Sequence, residues 1–149
     1  MSENIFRRIV IRCCGDKNHS LPSANLRQLL EGNITISPEA VGLIYDDILV
    51  LLFRGVRELL INVAKHAQAK KVNVSTRRND NNLYVCVKDD GIGMQIPNAS
   101  LNTQEGEGRG FGLFSIKERL EHLGGQLTID SQPACGSAVT LIAPLKDKG

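Results

Sequence analysis

The apolar positions between residues 37 and 67 repeat with the period of an α-helix. Ser37, Pro38 and Glu39 are a typical helix start, because serine caps free N–H groups, proline suits the first helical position and glutamate faces the positive end of the helix dipole. Since the segment is long for one globular helix, we allow for a break near Gly42 or Gly55. The residues of the apolar stripe are expected in the core: Leu52, Val56, Leu59, Leu60, Val63 and Ala67.

A β-hairpin is predicted next along the chain. Residues 72–78 and 83–88 alternate between apolar and polar, and the polar residues 79–82 between them are typical of a turn. In the first of these strands, Val72 and Val74 are expected on one face of the sheet.

The last third of the chain predicts a helix followed by a second hairpin. Residues 111–123 have helical periodicity that ends at Gly124-Gly125, and residues 127–131 and 138–143 are predicted strands. The order helix, hairpin, loop, helix, hairpin predicts an α+β fold. We expect a two-layer α/β sandwich, in which helices cover one face of a mixed, mostly antiparallel sheet.

The first 36 residues have a less regular pattern. Residues 5–14 are compatible with a strand, and residues 22–31 with a short helix that ends at Gly32. We therefore divide the chain into an N-terminal segment of unclear role, residues 1–36, and a domain at residues 37–149.

Composition narrows the classes of function. The chain has 149 residues, of which 42% are hydrophobic and 4% aromatic, and a formal net charge of +2. A clustered basic face and aromatic stacking platforms, which nucleic-acid-binding proteins use, are not indicated. No apolar run reaches the roughly 18 residues of a membrane span, and the N-terminus has no signal-peptide pattern.

Four polar residues on the first long helix form a candidate site. Glu58, Asn62, Lys65 and His66 have the spacing i, i+4, i+7 and i+8, so they share one helix face at the rim of the core. An amide oxygen such as that of Asn62 can ligate Mg²⁺, and Lys65 can neutralise phosphate charge. Taken alone, the same residues also fit an ordinary solvated helix face.

A second candidate site directly follows the strand at residues 83–88. Asp89 stands at the strand end, where its carboxylate can accept the exocyclic N–H of an adenine. Gly91 and Gly93, which flank Ile92, allow the backbone to turn and to approach a ligand closely. The alternative is a turn in which these residues serve the backbone alone.

Glycines before the second long helix form a third candidate site. Gly106, Gly108, Gly110 and Gly112 alternate with other residues, which exposes consecutive N–H groups at a helix N-terminus, a favourable place for phosphate. A flexible linker is the alternative, and the spacing excludes both the dinucleotide fingerprint and the P-loop. Ser137 opens the last strand, where its hydroxyl can bond water or the Asp89 carboxylate.

These elements together resemble the GHKL ATPase superfamily, which includes gyrase, Hsp90, histidine kinases and MutL. The resemblance covers about residues 37–145 and rests on residues 57–67, 89–93 and 110–120. The chain is most similar to the catalytic ATP-binding domain of bacterial sensor histidine kinases, in the subgroup that signals to response regulators with helix-turn-helix output domains. The stretch at residues 110–120, followed by Leu123-Gly124-Gly125, is specific to that subgroup.

The resemblance implies ATP and Mg²⁺ as ligands and gives the candidate residues roles. Glu58, Asn62 and Lys65 are the implied catalytic residues, with Asn62 on Mg²⁺ and Glu58 near the metal through water. Residues 94–108 correspond to the ATP lid, and Ser137 stands where many members have threonine. The implied ATP-binding residues are Asn62, Lys65, His66, Asp89, Gly91, Ile92, Gly93, Gly108, Arg109, Gly110, Phe111, Gly112, Leu113 and Ser137.

A complete histidine kinase also carries a phosphoacceptor histidine on a dimerising helical hairpin. None of His19, His66 and His122 has the context of an acceptor. We therefore expect the acceptor on a separate dimerisation domain of the parent kinase, with a response regulator as indirect partner and no nucleic-acid or membrane contact by this domain. The implied location is the cytoplasm, whether or not the parent protein is membrane-anchored.

Two alternatives use the same fold. One is a stand-alone serine kinase of the anti-sigma type, which fits the short chain and the missing acceptor. The other is a degenerate nucleotide-sensing module, which is disfavoured because Asn62, Asp89 and the glycines are all present.

Overall fold

The structure is a computed structural model that describes residues 34–35, 45–93 and 111–145. The helix start predicted at Ser37, the elements predicted at residues 5–14 and 22–31, and the loop at residues 94–108 lie outside the described residues.

Five strands form one sheet in the order β1-β2-β3-β5-β4. Strand β1 pairs parallel with β2, and every other neighbouring pair is antiparallel. The two hairpins predicted from alternation are therefore confirmed as β2–β3 and β4–β5. The strands comprise Ile34–Thr35 (β1), Val72–Asn79 (β2), Asn82–Asp89 (β3), Gln126–Ser131 (β4) and Ser137–Pro144 (β5).

One face of the sheet carries the core. The strand register aligns Val74, Val87 and Val139 across β2, β3 and β5, and all three side chains are buried. The intervening residues Ser75 and Cys86, which face the other way, are only half-buried. This difference follows from the two-residue period of a strand, which the sequence pattern had predicted.

Helix α1 (Asp46–Asn62) packs on β3 and β5 and continues into a single π-helical turn, Val63–Ala67. Most of the predicted stripe, from Leu52 to Val63, is buried, and Ala67 packs against the core. The break that we allowed for near Gly55 does not occur. A Cβ at Gly55 would stand 2.7 Å from Leu141 Cδ1, so glycine lets α1 approach the sheet closely.

Helix α2 (Phe111–His122) packs against α1 and β4. It ends as predicted, at the glycine pair: Gly124 has φ +86°, and Gly125 N–H donates to the Leu120 carbonyl at 2.7 Å. This is the Schellman arrangement, in which a left-handed glycine ends the helix and satisfies its last carbonyls.

The predicted fold class is confirmed. In the described part of the chain both helices cover the same face of a mixed, mostly antiparallel sheet, which is the two-layer α+β arrangement. Strand β1 was not predicted, because its two residues are too few to show alternation. They lie in the segment 1–36 to which the sequence assigned no role.

Candidate functional site

The carboxylate of Asp89 is fixed at the end of β3. Its side chain is buried, and Oδ1 accepts a hydrogen bond from Gly91 N–H at 2.8 Å. Oδ2 accepts a hydrogen bond of 2.5 Å from the hydroxyl of Ser137, one of the two partners that the sequence predicted for this hydroxyl. Each carboxylate oxygen has two lone pairs, so Asp89 retains capacity to accept an N–H from a ligand.

Residues 91–93 run between two other parts of the chain. On one side Ile92 N–H donates to the Ala67 carbonyl at 2.8 Å, and on the other Ala134 N–H donates to the Ile92 carbonyl at 2.9 Å. A Cβ at Gly91 would stand 2.1 Å from the Ala67 oxygen, and one at Gly93 would stand 2.3 Å from the Gln132 oxygen. The close approach that these glycines permit is therefore to the protein's own backbone. The Ile92 side chain is half-exposed beside them.

The predicted helix face is only partly formed. Glu58 and Asn62 lie four residues apart in α1 and are both half-buried, so they share one face as expected. The spacing argument does not extend to Lys65 and His66, because they lie in the π turn, where α-helical spacing does not apply, and their place in the site stays a prediction. Lys65 is exposed, and the side chain of His66 lies outside the described part of the structure.

The first turn of α2 lies against Glu58. A Cβ at Gly112 would stand 2.5 Å from the Glu58 carboxyl carbon, so only a glycine leaves room for that carboxylate. Residue 112, predicted as a phosphate-side glycine, and residue 58, predicted beside the metal, are thus brought together. The next residue, Leu113, has its side chain in the core.

Some predicted site residues lie outside the described residues. These are Gly108, Arg109 and Gly110, together with the side chain of Phe111. Their assignment to phosphate binding stays a prediction.

Asp90 is a residue whose role the sequence analysis did not assign. Its exposed carboxylate accepts hydrogen bonds through Oδ1 from the backbone N–H groups of Lys70, at 2.8 Å, and Lys71, at 2.9 Å. The Lys71 N–H, together with that of Lys70, lowers the pKa of the Asp90 carboxyl below its ordinary range. Strand alternation could have indicated an outward-facing residue here, but its partners are 19 and 20 residues away in sequence.

The donor set on α1 suits a hard cation delivered with its ligand. Among the residues described, no cluster of three His, Cys, Asp or Glu side chains could hold a metal ion by itself. Mg²⁺ in nucleotide sites usually takes one or two protein oxygens and completes its shell with phosphates and water. An amide from Asn62 and a carboxylate from Glu58, one helical turn apart, fit that requirement.

Comparison with known proteins identifies related sequences. The family model described as "Histidine kinase-, DNA gyrase B-, and HSP90-like ATPase" matches residues 48–147. The chain is 37% identical over 102 residues to the oxygen sensor histidine kinase NreB of Staphylococcus carnosus, covering 68% of this chain and 28% of that protein. It is 36% identical over 132 residues to the nitrate/nitrite sensor protein NarQ of Escherichia coli, covering 83% of this chain and 22% of NarQ.

A solved structure has the same fold. The mycobacterial sensor histidine kinase MprB superposes with a TM-score of 0.62 over 94% of each chain, at 21% identity. No helix in the described segments of our structure is long and apolar enough to cross a membrane. The chain spans less than a third of the length of NreB or NarQ. From the family match over residues 48–147, the chain belongs to the histidine kinase-, DNA gyrase B- and HSP90-like ATPase family.

Proposed function

We propose that this chain binds Mg·ATP and supplies the γ-phosphate for phosphorylation of a histidine on a separate dimerisation domain, in two-component signal transduction. It would be the catalytic part of an ATP-dependent protein histidine kinase. The observation that carries the proposal is the buried Asp89 carboxylate, oriented by Gly91 and Ser137 at the end of β3.

The adenine side of the site rests on Asp89. A buried carboxylate that accepts two protein hydrogen bonds is a preorganised acceptor, so a ligand N–H can bond to it without reorienting the side chain. An exocyclic amino group of adenine offers such an N–H. The exposed Ile92 side chain next to it offers apolar surface for the base.

The phosphate side rests on Glu58 and Asn62, with Gly112 at the start of α2. Mg²⁺ would neutralise phosphate charge when bound. Asn62 would ligate it through the amide oxygen, and Glu58 would orient its water. Both side chains are half-buried. Lys65, His66, Gly108 and Gly110 remain proposed phosphate-side residues. Arg109, Phe111 and Leu113 remain proposed ATP-binding residues.

The proposed partners are the dimerisation and phosphoacceptor domain of a parent kinase and, indirectly, a response regulator. NreB is named as an oxygen sensor histidine kinase, and NarQ as a nitrate/nitrite sensor protein. We propose that the histidine that receives phosphate lies on another domain, because none of the three histidines of this chain has the context of an acceptor. We place this domain in the cytoplasm.

Calorimetric titration of the full chain with Mg·ADP and with a non-hydrolysable ATP analogue tests the proposal. We expect Asp89→Asn to weaken binding about 10- to 100-fold, because the amide nitrogen cannot accept a hydrogen bond. Asp130→Asn, on an exposed residue of β4, is the matched control and should bind like wild type. Lack of binding by wild type, or equal binding by Asp89→Asn, would refute the proposal.

A second experiment identifies the acceptor. The chain is incubated with labelled ATP and either a histidine-bearing dimerisation domain or a candidate serine substrate. Acid-labile phosphate on the dimerisation domain supports a histidine kinase. Acid-stable phosphate on serine would instead identify the anti-sigma type of kinase, and nucleotide binding with transfer to neither would identify a sensing module.

A further inference from the structure

Asp90 and Asp89 are adjacent but serve opposite sides of the chain. Asp89 faces inward and is buried, whereas Asp90 is exposed and turns towards the residues that precede β2. Oδ1 of Asp90 accepts the N–H groups of Lys70 and Lys71, and Asp90 N–H donates to the Lys71 carbonyl at 3.3 Å. Asp90 therefore makes three hydrogen bonds to the backbone of two consecutive residues, Lys70 and Lys71.

Lys70 and Lys71 lie at the exit from the π turn. We call residues 67–71 the exit segment: Ala67 ends the π turn, and Gln68 follows with a left-handed φ of +49°. The exit segment is bonded at both ends to residues that follow Asp89. Ala67 accepts from Ile92 N–H at 2.8 Å, while Lys70 and Lys71 bond Asp90.

The π turn and the exit segment together connect Asn62, in the phosphate half of the candidate site, to Val72, the strand partner of Asp89 in the adenine half. Asn62 is the last residue of α1, directly before the π turn. Asp89 pairs with Val72, directly after the exit segment. The bonds to Asp90 and Ile92 therefore fix where the end of α1 lies relative to the Asp89 carboxylate.

We infer that Asp90 is a positioning residue. It holds Asn62, at the end of α1, at a fixed distance from Asp89, so that one Mg-nucleotide can reach both. This inference rests on the proposed function. A ligand held at two points loses affinity when their spacing becomes variable, because part of its binding free energy then goes into ordering the protein. The loss of affinity should therefore appear only when the nucleotide contacts both Asp89, through its adenine, and Asn62, through Mg²⁺.

The helix ends in a π turn directly beside these contacts. A π turn is a local departure from α-helical hydrogen bonding and commonly lies at functional sites. In this chain the Ala67 carbonyl accepts a hydrogen bond from Ile92, outside the helix, and the next residue leaves helical conformation. The Ile92 N–H thus satisfies one of the carbonyls that a helix end leaves without an intrahelical partner.

The test compares Asp90→Ala, Asp90→Asn and the exposed control Asp130→Ala, each in the full chain. For each we measure the dissociation constant of a non-hydrolysable ATP analogue with and without Mg²⁺. We expect Asp90→Ala to reduce the Mg²⁺-dependent gain in affinity about tenfold, as expected for loss of two hydrogen bonds to a charged acceptor. Asp90→Asn should recover most of the gain, because the amide oxygen still accepts both N–H groups. Asp130→Ala should behave as wild type.

The outcomes separate positioning from other roles. An unchanged Mg²⁺-dependent gain in Asp90→Ala would overturn the inference, and so would an equal loss with and without Mg²⁺, which a general loss of folded protein would cause. If Asp90→Asn lost the gain as fully as Asp90→Ala, the charge itself would be required, and positioning by the backbone contacts would be refuted.

Hydrogen exchange of the Lys70 and Lys71 amides tests the contact without any nucleotide. Both amides should exchange about tenfold faster in Asp90→Ala than in wild type, with slow exchange retained in Asp90→Asn. Equal exchange in Asp90→Ala and wild type would overturn the inference even if nucleotide binds. Slow exchange together with absence of nucleotide binding by wild type would instead refute the proposed function, and with it the coupling to nucleotide, while leaving the contact established.

Discussion

Ser137 and Asp89 are direct partners in the β3–β5 ladder, and the Ser137 hydroxyl donates to Asp89 Oδ2 across it. Both side chains are buried. Oδ1 of Asp89 accepts from Gly91 N–H, so each oxygen of the carboxylate has one protein donor and its orientation is fixed. The buried Ser137 side chain thus orients the buried Asp89 side chain, in a sheet whose neighbouring inward positions are apolar.

Ser137→Ala should weaken both folding and ligand binding. It leaves Oδ2 of a buried carboxylate without a donor, which costs about 1–3 kcal/mol of stability. We expect a lower midpoint in urea unfolding and a dissociation constant for Mg·ADP weaker by about 5- to 160-fold, which is the factor that corresponds to about 1–3 kcal/mol. Ser137→Thr keeps the hydroxyl and should lie closer to wild type in binding. Equal Mg·ADP affinity of Ser137→Ala and wild type would contradict the orienting role.

Gly136→Ala should be among the most destabilising single changes in the chain. Gly136 has φ +79°, and a Cβ there would stand 2.1 Å from the Asp89 carbonyl oxygen. The left-handed conformation costs roughly 1–2 kcal/mol for alanine, and the contact with rigid backbone adds about 1–3 kcal/mol. Denaturant unfolding should give a total loss of about 2–5 kcal/mol.

The matched control for Gly136 is Gly124→Ala. Gly124 also has a left-handed φ, of +86°, but a Cβ there would have only Pro144 Cγ nearby, at 3.9 Å. It should therefore lose only the conformational part, roughly 1–2 kcal/mol. Equal losses at the two glycines would mean that the approach of Gly136 to Asp89 has no energetic consequence.

The buried position of Asp89 was accessible from sequence, whereas the bonds of Asp90 were not. Leu83, Val85 and Val87 alternate as inward residues of β3, and Asp89 continues their parity, so its burial follows from the period of a strand. The two N–H groups that bond Asp90 lie 19 and 20 residues earlier, and no local pattern relates them to it.

The fold was predictable for a related reason. Helices and hairpins with a continuous apolar face can be predicted from the periodicity of their apolar residues, as in α1 and in the β2–β3 pair. The π turn at Val63–Ala67 and the two residues of β1 have no such signal, because a single turn and a two-residue strand are too short to show a period. Gly55 was similarly ambiguous. A glycine in a helical pattern can mark a break or a close approach, and the proximity of Leu141 decides for the second.

Gly112→Ala should alter the site more than the stability. A Cβ would displace the Glu58 carboxylate, which is the far end of a flexible side chain and can move, while alanine gains about 1 kcal/mol in helix propensity over glycine. Under the proposed function, displacing Glu58 should weaken Mg·ADP binding about tenfold, as removal of an outer-shell partner does. The change in unfolding free energy should stay within about 1 kcal/mol.

A double-mutant cycle with Glu58→Gln checks that Gly112 acts through Glu58. If it does, Glu58→Gln should have little further effect on Mg·ADP affinity once Gly112→Ala is present. Gly55→Ala is the matched helical control, because a Cβ there would also meet side-chain ends, those of Leu141 and Ile116, but away from Glu58. It should change stability without changing affinity. Additive effects of the two site variants would contradict the contact.

The stabilising charge of Asp90 should disappear in acid. Its pKa in the folded protein lies below the ordinary value of 3.8, chiefly because of the Lys71 N–H, so folding favours the ionised form. The sign of the linkage is then fixed: this contribution is complete above the unfolded pKa and is lost as pH falls through the lower, folded value. The free energy of unfolding of wild type should exceed that of Asp90→Asn at neutral pH, and the difference should fade as pH falls through the ordinary value of 3.8 and then through the lower, folded value. Asp90→Ala, which lacks any acceptor for the two N–H groups, should remain less stable than Asp90→Asn at every pH. Urea unfolding midpoints across this range measure both differences, and a gap between wild type and Asp90→Asn that does not change with pH would contradict the assignment of the charge to these hydrogen bonds.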